Sequence, residues 1–227
     1  MKNVISHKNK LGAGIYTIPD ISRILGFSKS KVARYINLYW DDKNGKQLFQ
    51  DTYSWSVSNN TKAVNFYVLI ELFTFINLQE RGFSPQRIFK TRNQIIKDLE
   101  IQYPFAFAGI LTDGKKIWCD YMDSVVETNG TKQINFSQII YDFAQRIDFN
   151  SESKMAERFY PNGKDKSIVI DPHHQFGMPI IKGTNINTEI LYSMYTSGEP
   201  IKSISILYDL TQKEVNDAIS YYKPKVA

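Results

Sequence analysis

Two stretches of this 227-residue chain carry side chains whose types and spacing suit chemistry. DPHHQFGMPIIKGT, residues 171–184, brings Asp171, His173 and His174 together, the material of a metal site or an acid–base pair. SKSKVAR, residues 28–34, sets Lys29, Lys31 and Arg34 among the hydroxyls of Ser28 and Ser30. That second set suits phosphate oxygens and base edges in a major groove. The first stretch fails on ligand number. Only His7 and Cys119 could add a further soft ligand. Neighbouring side chains on an extended segment point to opposite faces, and a zinc site needs three or four ligands. An enzyme would need residues 103–174 to form a pocket with His173 or His174 as base, yet no nucleophile, paired acid or phosphate loop stands there. Asp113, Asp120 and Asp123 lack a histidine or lysine set and read as turn and surface acids. No catalytic residue, metal or cofactor is therefore expected.

The basic stretch needs elements to hold it. TIPDISRILGFSKSKVARYINLYW reads as two short helices around a tight turn. Thr17 and Asp20 make a capping-box-like start, Ile21, Ile24 and Leu25 form one apolar face, and Gly26 ends the helix. Phe27 plugs the corner and Ser28 caps a second helix with Val32, Tyr35 and Ile36 inward. This is helix-turn-helix spacing, with Lys29, Lys31 and Arg34 expected outward. In DDKNGKQLFQDTYSWSV, Asn44-Gly45 is a hairpin turn signal, so a wing with Lys43 and Lys46 at its tip is expected beside the helices. The expected DNA-binding set is Ser28, Lys29, Ser30, Lys31, Arg34, Lys43 and Lys46. Charge agrees, since residues 1–98 carry a net +8 while residues 99–167 carry −2 and 168–227 carry −1. A polyanion footprint thus falls on the N-terminal part.

The rest of the chain reads as helices with small hairpins. An apolar helix is expected from about Lys62 to Glu80, stopped by Gly82, and a second opens at Ser84-Pro85. The first is apolar almost all round, which predicts that one face meets another protein surface. Residues 103–149 suggest two strands turning at Asp113-Gly114 and then an amphipathic helix. Asn162-Gly163 marks another hairpin, with short strands at 168–170 and 179–181. Asn187 or Thr188 caps a helix ending at Ser197-Gly198, Pro200 opens another, and Thr211 with Glu214 boxes the last. Three helices in this order again suggest a helix-turn-helix, but Lys213 beside Glu214 and Asp217 is poor equipment for phosphates. Assembly is the role expected of it.

The fold class expected is mainly α with small β hairpins, α+β. A winged helix-turn-helix occupies residues 1–100, a connecting region with a hairpin and helix residues 101–164, and a helix-turn-helix-like three-helix domain residues 165–227. The longest apolar run, Val64 to Leu78, includes Glu71 and is too short for a membrane span. The polar start MKNVISHKNK is no secretory segment, and one cysteine fits a reducing compartment, so a cytoplasmic protein is expected. A homodimer is expected too, because helix-turn-helix proteins usually read two half-sites. The apolar helix, the C-terminal domain or both would supply its contacts.

Several longer patterns carry a resemblance. N-F-x-x-L-I-E-L, G-x-S-x-Q-R-I and D-P-x-x-x-F-G-x-P stand in KAVNFYVLIELFTFINLQERGFSPQRIFKTRNQIIKDLEIQYPFA and in RFYP…IVIDPHHQFGMPIIKGTNI. With these the chain resembles, over nearly its whole length, VapB-type antitoxins that pair an N-terminal MerR-like helix-turn-helix with a C-terminal antitoxin domain of formerly unknown function. The resemblance implies binding to the chain's own promoter DNA as an autorepressor and neutralisation of a PIN-like ribonuclease toxin. It also implies that Asp171-Pro172, Phe176-Gly177 and Pro179 frame a strand-turn-strand and that the histidine positions carry no shared chemistry. It names no toxin-contacting residue. The alternative is a stand-alone MerR-like transcriptional regulator without a toxin partner.

Overall fold

The structure is a computed structural model describing residues 13–40, 54–58, 61–108, 143 and 145–223. Within these residues the fold is α+β, with seven α-helices and two small antiparallel sheets. In the first sheet, β1 (Tyr16–Thr17) and β2 (Ser54–Ser58) flank β3 (Thr61–Val64). Tyr16 lies opposite Val64, and Trp55 opposite Ala63. Helices α1 (Ile18–Leu25) and α2 (Lys29–Tyr35) follow β1, and a wider π-helical turn, Ile36–Trp40, extends α2. The expected turn at Asn44-Gly45, with Lys43 and Lys46, lies outside the described residues, as do Asp113-Gly114 and most of the helix expected before residue 147.

Helix α3 (Phe66–Glu80) begins later than the apolar pattern suggests, because residues 61–64 pair as β3. Asn65 caps it, its side-chain oxygen accepting the Val68 N–H at 2.9 Å. Contrary to the expectation of a second protein surface, the chain covers this helix itself. Phe66, Leu69, Ile70, Phe73 and Ile76 are all buried. Phe75 packs on Phe89 of α4 (Pro85–Leu99) and on Tyr39, with ring centroids 4.9 and 5.1 Å apart. Phe73 packs on Phe159 and Phe143 at 4.9 and 5.4 Å. A dimer contact through Phe66, Tyr67, Leu69, Ile70, Phe73 and Ile76 is therefore corrected: five of the six are buried within the chain, and Tyr67 is half-buried beside Tyr103, with ring centroids 5.2 Å apart.

A helix buried along most of its length must satisfy its one buried carboxylate. Glu71 is 0% exposed and faces Arg92 of α4, itself 1% exposed, with Arg92 Nε donating to Oε2 at 2.5 Å. The Phe105 N–H, in the 3₁₀ turn Pro104–Ala106, donates to Oε1 at 3.0 Å. Arg92 Nη2 donates to the Gln102 carbonyl at 3.1 Å. Burial pushes the Glu71 carboxyl above its usual range, and Arg92 with the Phe105 N–H offsets that only in part. The pair thus fixes α3, α4 and the turn to one another.

The second sheet runs β4 (Ile147–Phe149), β5 (Ala156–Phe159), β6 (Ile168–Ile170) and β7 (Pro179–Ile181) in spatial order. The strands at 168–170 and 179–181 form as the sequence suggests, pairing Ile168 with Ile181 and Ile170 with Pro179. Ile170 joins the large core built on α3, whereas Ile181 joins a separate core with Leu191, Ile204, Val215 and Ile219. That second core lies among α5 (Thr188–Thr196), α6 (Ile201–Tyr208) and α7 (Gln212–Tyr222). Asn187 caps α5 and the Thr211–Glu214 box caps α7, as their spacing implies.

Between β6 and β7, residues 171–178 are a compact turn, giving the strand-turn-strand that the resemblance implies, so the histidines do not stand on an extended segment as their adjacency suggests. Gln175 and Phe176 both take positive φ, 47° and 55°, ahead of Gly177 at 83°. The Ile15 N–H donates to the Phe176 carbonyl at 3.2 Å, docking this turn beside β1. A Cβ on Gly177 would stand 2.1 Å from the Tyr16 hydroxyl, so glycine is required both by φ and by that approach.

The buried pair and the tight turn should each leave a mark on stability. Glu71→Gln leaves a buried guanidinium without its counter-charge and should lower unfolding stability by about 3–5 kcal/mol, whereas Glu71→Leu combined with Arg92→Met should recover most of it. Urea denaturation of both variants checks this, and equal losses in the two would contradict it. Gly177→Ala should cost about 2–4 kcal/mol from strain plus overpacking. Gly183→Ala, with φ 79° but no heavy atom within 4 Å of its new Cβ, should cost only about 1 kcal/mol in the same assay.

Candidate nucleic-acid interface

The helical pair α1–α2 forms as its caps dictate. The Thr17 N–H donates to Asp20 Oδ2 at 3.0 Å, and the Thr17 hydroxyl donates to the same oxygen. Gly26 takes φ 77° and its N–H closes on the Ser22 carbonyl at 3.0 Å. The Ser22 hydroxyl donates to the Phe27 carbonyl at 2.6 Å, which pins the corner. Ser28 then caps α2 by accepting the Lys31 N–H at 3.3 Å. Ile21, Ile24, Val32, Tyr35 and Ile36 are buried together with β1 and α3.

With Val32 and Tyr35 inward, helical geometry turns Ser30 and Arg34, four residues apart, directly outward. Both lie away from the core, as do Ser28 and Lys29. The Arg34 guanidinium lies 5.4 Å from the centroid of the Tyr35 ring. Lys31 departs from its expected place. It sits on the flank nearer the core, its Nζ 2.5 Å from Glu80 Oε1 at the end of α3 and 4.5 Å from the Phe27 ring centroid. The Tyr35 hydroxyl donates to Gln79 Oε1 in the same corner. Sequence spacing gives no hint of Glu80 as a partner, because 49 residues separate it from Lys31. Its place at the end of an expected helix is the only signal available. The outward set is therefore Ser28, Lys29, Ser30 and Arg34, while Lys43 and Lys46 lie outside the described residues.

The other candidate stretch is organised around Asp171. Its carboxylate accepts from Arg158 Nε at 3.0 Å and from the His173 N–H at 2.9 Å, and His174 Nδ1 lies 3.1 Å away. Burial raises the Asp171 carboxyl, but Arg158, the His173 N–H and His174 outweigh it and hold the group below its ordinary value. Both imidazoles are exposed. Among the described residues no three histidine, cysteine or carboxylate groups gather as a metal site would require.

The C-terminal helical pair differs from the N-terminal one in its electrostatics. On α7, Lys213 Nζ lies 3.6 Å from Asp217 and donates to the Asp165 carbonyl at 3.3 Å. Asp217 also accepts from the Ser167 N–H and hydroxyl at 3.0 and 2.9 Å. Asn216 donates to the Gln212 carbonyl at 2.8 Å. At the far end of α7, the Arg23 guanidinium of α1 lies 5.2 Å from the Tyr222 ring centroid. The two helical pairs are thus joined, and the one cation of α7, Lys213, is engaged within the chain.

Comparison with known proteins places this fold beside a solved structure. The crystal structure of Rv2018 from Mycobacterium tuberculosis aligns with a TM-score of 0.71 over 90% of this chain and 96% of that one, at 18% identity. The overall fold is shared. Residues 168–222 match a family described as a protein of unknown function, DUF433. A Mycobacterium tuberculosis protein named "Putative antitoxin VapB45" is 20% identical over 223 residues, covering 90% of this chain and 92% of that protein. The chain is thus similar, over 90% of its length, to a protein bearing that name.

If α2 meets a phosphate backbone, Lys29→Ala with Arg34→Ala should flatten the slope of log K against log salt by about two units, at about 0.9 per lost phosphate contact. Lys31→Ala should leave that slope nearly unchanged, because its charge is matched by Glu80. Fluorescence anisotropy titrations across a salt series measure both. An unaltered slope in the double variant would place the interface elsewhere.

Proposed function

We propose that the chain is the antitoxin of a type II toxin–antitoxin system, a non-enzymatic cytoplasmic protein that neutralises a PIN-like ribonuclease and represses its own promoter as a homodimer. The observation that carries this reading is the similarity to an antitoxin-named protein along 90% of the chain. The DNA half is supported independently by the outward Lys29, Ser30 and Arg34 on a capped second helix and by the net +8 of residues 1–98. The proposed contacts are Ser28, Lys29, Ser30 and Arg34, joined by Lys43 and Lys46 from a MerR-like wing. Lys31 supports them by holding α2 on α3.

A PIN-type toxin binds metal through clustered acids, and an antitoxin inhibits it by covering or displacing that cluster. The proposed domain organisation keeps DNA contact within residues 1–100 and leaves residues 165–227 for assembly. No helix among the described residues is long and apolar enough to cross a membrane.

Co-expression with the product of the neighbouring gene, proposed to be the PIN-like ribonuclease, tests the toxin half. The expected result is restored growth and recovery of both chains through a tag on either one. Continued growth arrest with no copurification would reject the antitoxin reading, and binding to promoter DNA alone would then favour the stand-alone regulator.

A further inference from the structure

Helix α6 carries an apolar surface that the described residues leave bare. Ile204 is buried and Ile201 and Tyr208 are half-buried, which places Lys202, Ser203, Ile206 and Leu207 on the opposite side. Ile206 is 72% exposed and Leu207 67%. Two adjacent large aliphatic residues this open on one short helix mark a contact surface more than ordinary scatter.

The flanking charges indicate the occupant. Lys202 stands in the first turn of α6, where the helix dipole is positive, and Asp209 stands at its C-cap, where the dipole is negative. Each charge opposes its own helix end. Neither forms an ion pair among the described residues. Beside a second α6 lying antiparallel, both become favourable: Lys202 meets the partner's negative end and Asp209, and Asp209 meets the partner's positive end and Lys202. A two-fold axis near the middle of α6 makes both matches at once and lays Ile206 and Leu207 against their counterparts. Ser203, on the same side, is small enough to allow close approach. Residues 168–227 sum to only −1, so little net repulsion opposes the approach.

We propose that the outward side of α6, formed by Lys202, Ser203, Ile206, Leu207 and Asp209, is the self-association surface of this protein, on which a second copy seats its own α6 antiparallel about a two-fold axis. The proposal rests on the homodimer reading and supplies its location, now that α3 is covered within the chain. A toxin would need no such self-complementary charge order. The contact is small for a stable interface, so dissociation in the micromolar range is expected.

Sedimentation velocity of the full-length chain over roughly 1–100 µM tests the proposal, in a range set by that expected affinity. Wild type should shift from monomer to dimer, and Ile206→Glu with Leu207→Glu should remain monomeric while melting cooperatively. Lys202→Asp or Asp209→Lys should each weaken association about tenfold, and the two combined should restore it, since the swapped charges pair again across the axis. At concentrations where wild type is monomeric, Lys202→Asp should not lower the melting temperature, because it suits its own helix end better. A wild type that stays monomeric would remove the homodimer reading and this surface with it. A wild-type dimer untouched by the Glu pair and the charge swaps would retain the dimer but overturn the surface. Variants that remain dimeric yet fail to copurify with the ribonuclease would reassign the surface to the toxin.

Discussion

The buried pairing of Glu71 with Arg92 is the constraint on which the arrangement of this molecule depends. Helix α3 is apolar and enclosed along nearly its whole length, and such a helix has little to fix its rotation or its depth in the core. A carboxylate at its second turn changes that. It must find a cation and a backbone donor in the interior, and it finds Arg92 on α4 and the Phe105 N–H. Once α3 is locked, its last turn presents Gln79 and Glu80 to Tyr35 and Lys31. Helix α2 is therefore held by a chain of polar contacts that starts in the centre of the core. The outward direction of Ser30 and Arg34 follows from it.

The local punctuation of the fold is legible in the sequence. Thr17 with Asp20, Gly26, Ser28, Ser84-Pro85, Asn187 and Thr211 with Glu214 each satisfy a helix end from within a few residues, so their signals are complete in one window. Contacts between distant segments are not. The cover on α3 comes from α4 and from residues 143–159, and no local pattern announces it. Lys31 lies on a basic stretch but is claimed by Glu80. The apolar pattern starts α3 too early because residues 62–64 are compatible with a helix until β2 is there to pair with them. A turn at 171–178 is legible from its flanking strands, but its left-handed conformation at Gln175 and Phe176 is not, because these residue types carry no sequence signal for it.

Two helical pairs of similar outline are set apart by where their cations go. On α2, Lys29 and Arg34 face away from the core. On α7, Lys213 faces Asp217 and the 165–167 loop, and Asp217 is held below its usual value because Ser167, Lys166 and Lys213 outweigh its burial. Counterion release, which supplies nearly all of the non-specific affinity for DNA, is accordingly open to α2 and nearly closed to α7. The contact between Arg23 and Tyr222 joins the pairs, so assembly through the C-terminal helices would set the spacing of two α2 helices on DNA.

Site-specific photo-cross-linking on the duplex upstream of the chain's own coding sequence tests most directly whether α2 is the reading helix, by comparing a photoreactive side chain at position 30 with one at position 212. Sequence-specific adducts to major-groove bases are predicted from position 30, and none above background from position 212. Adducts from position 212, with position 30 silent, would contradict this and make α7 the reading helix.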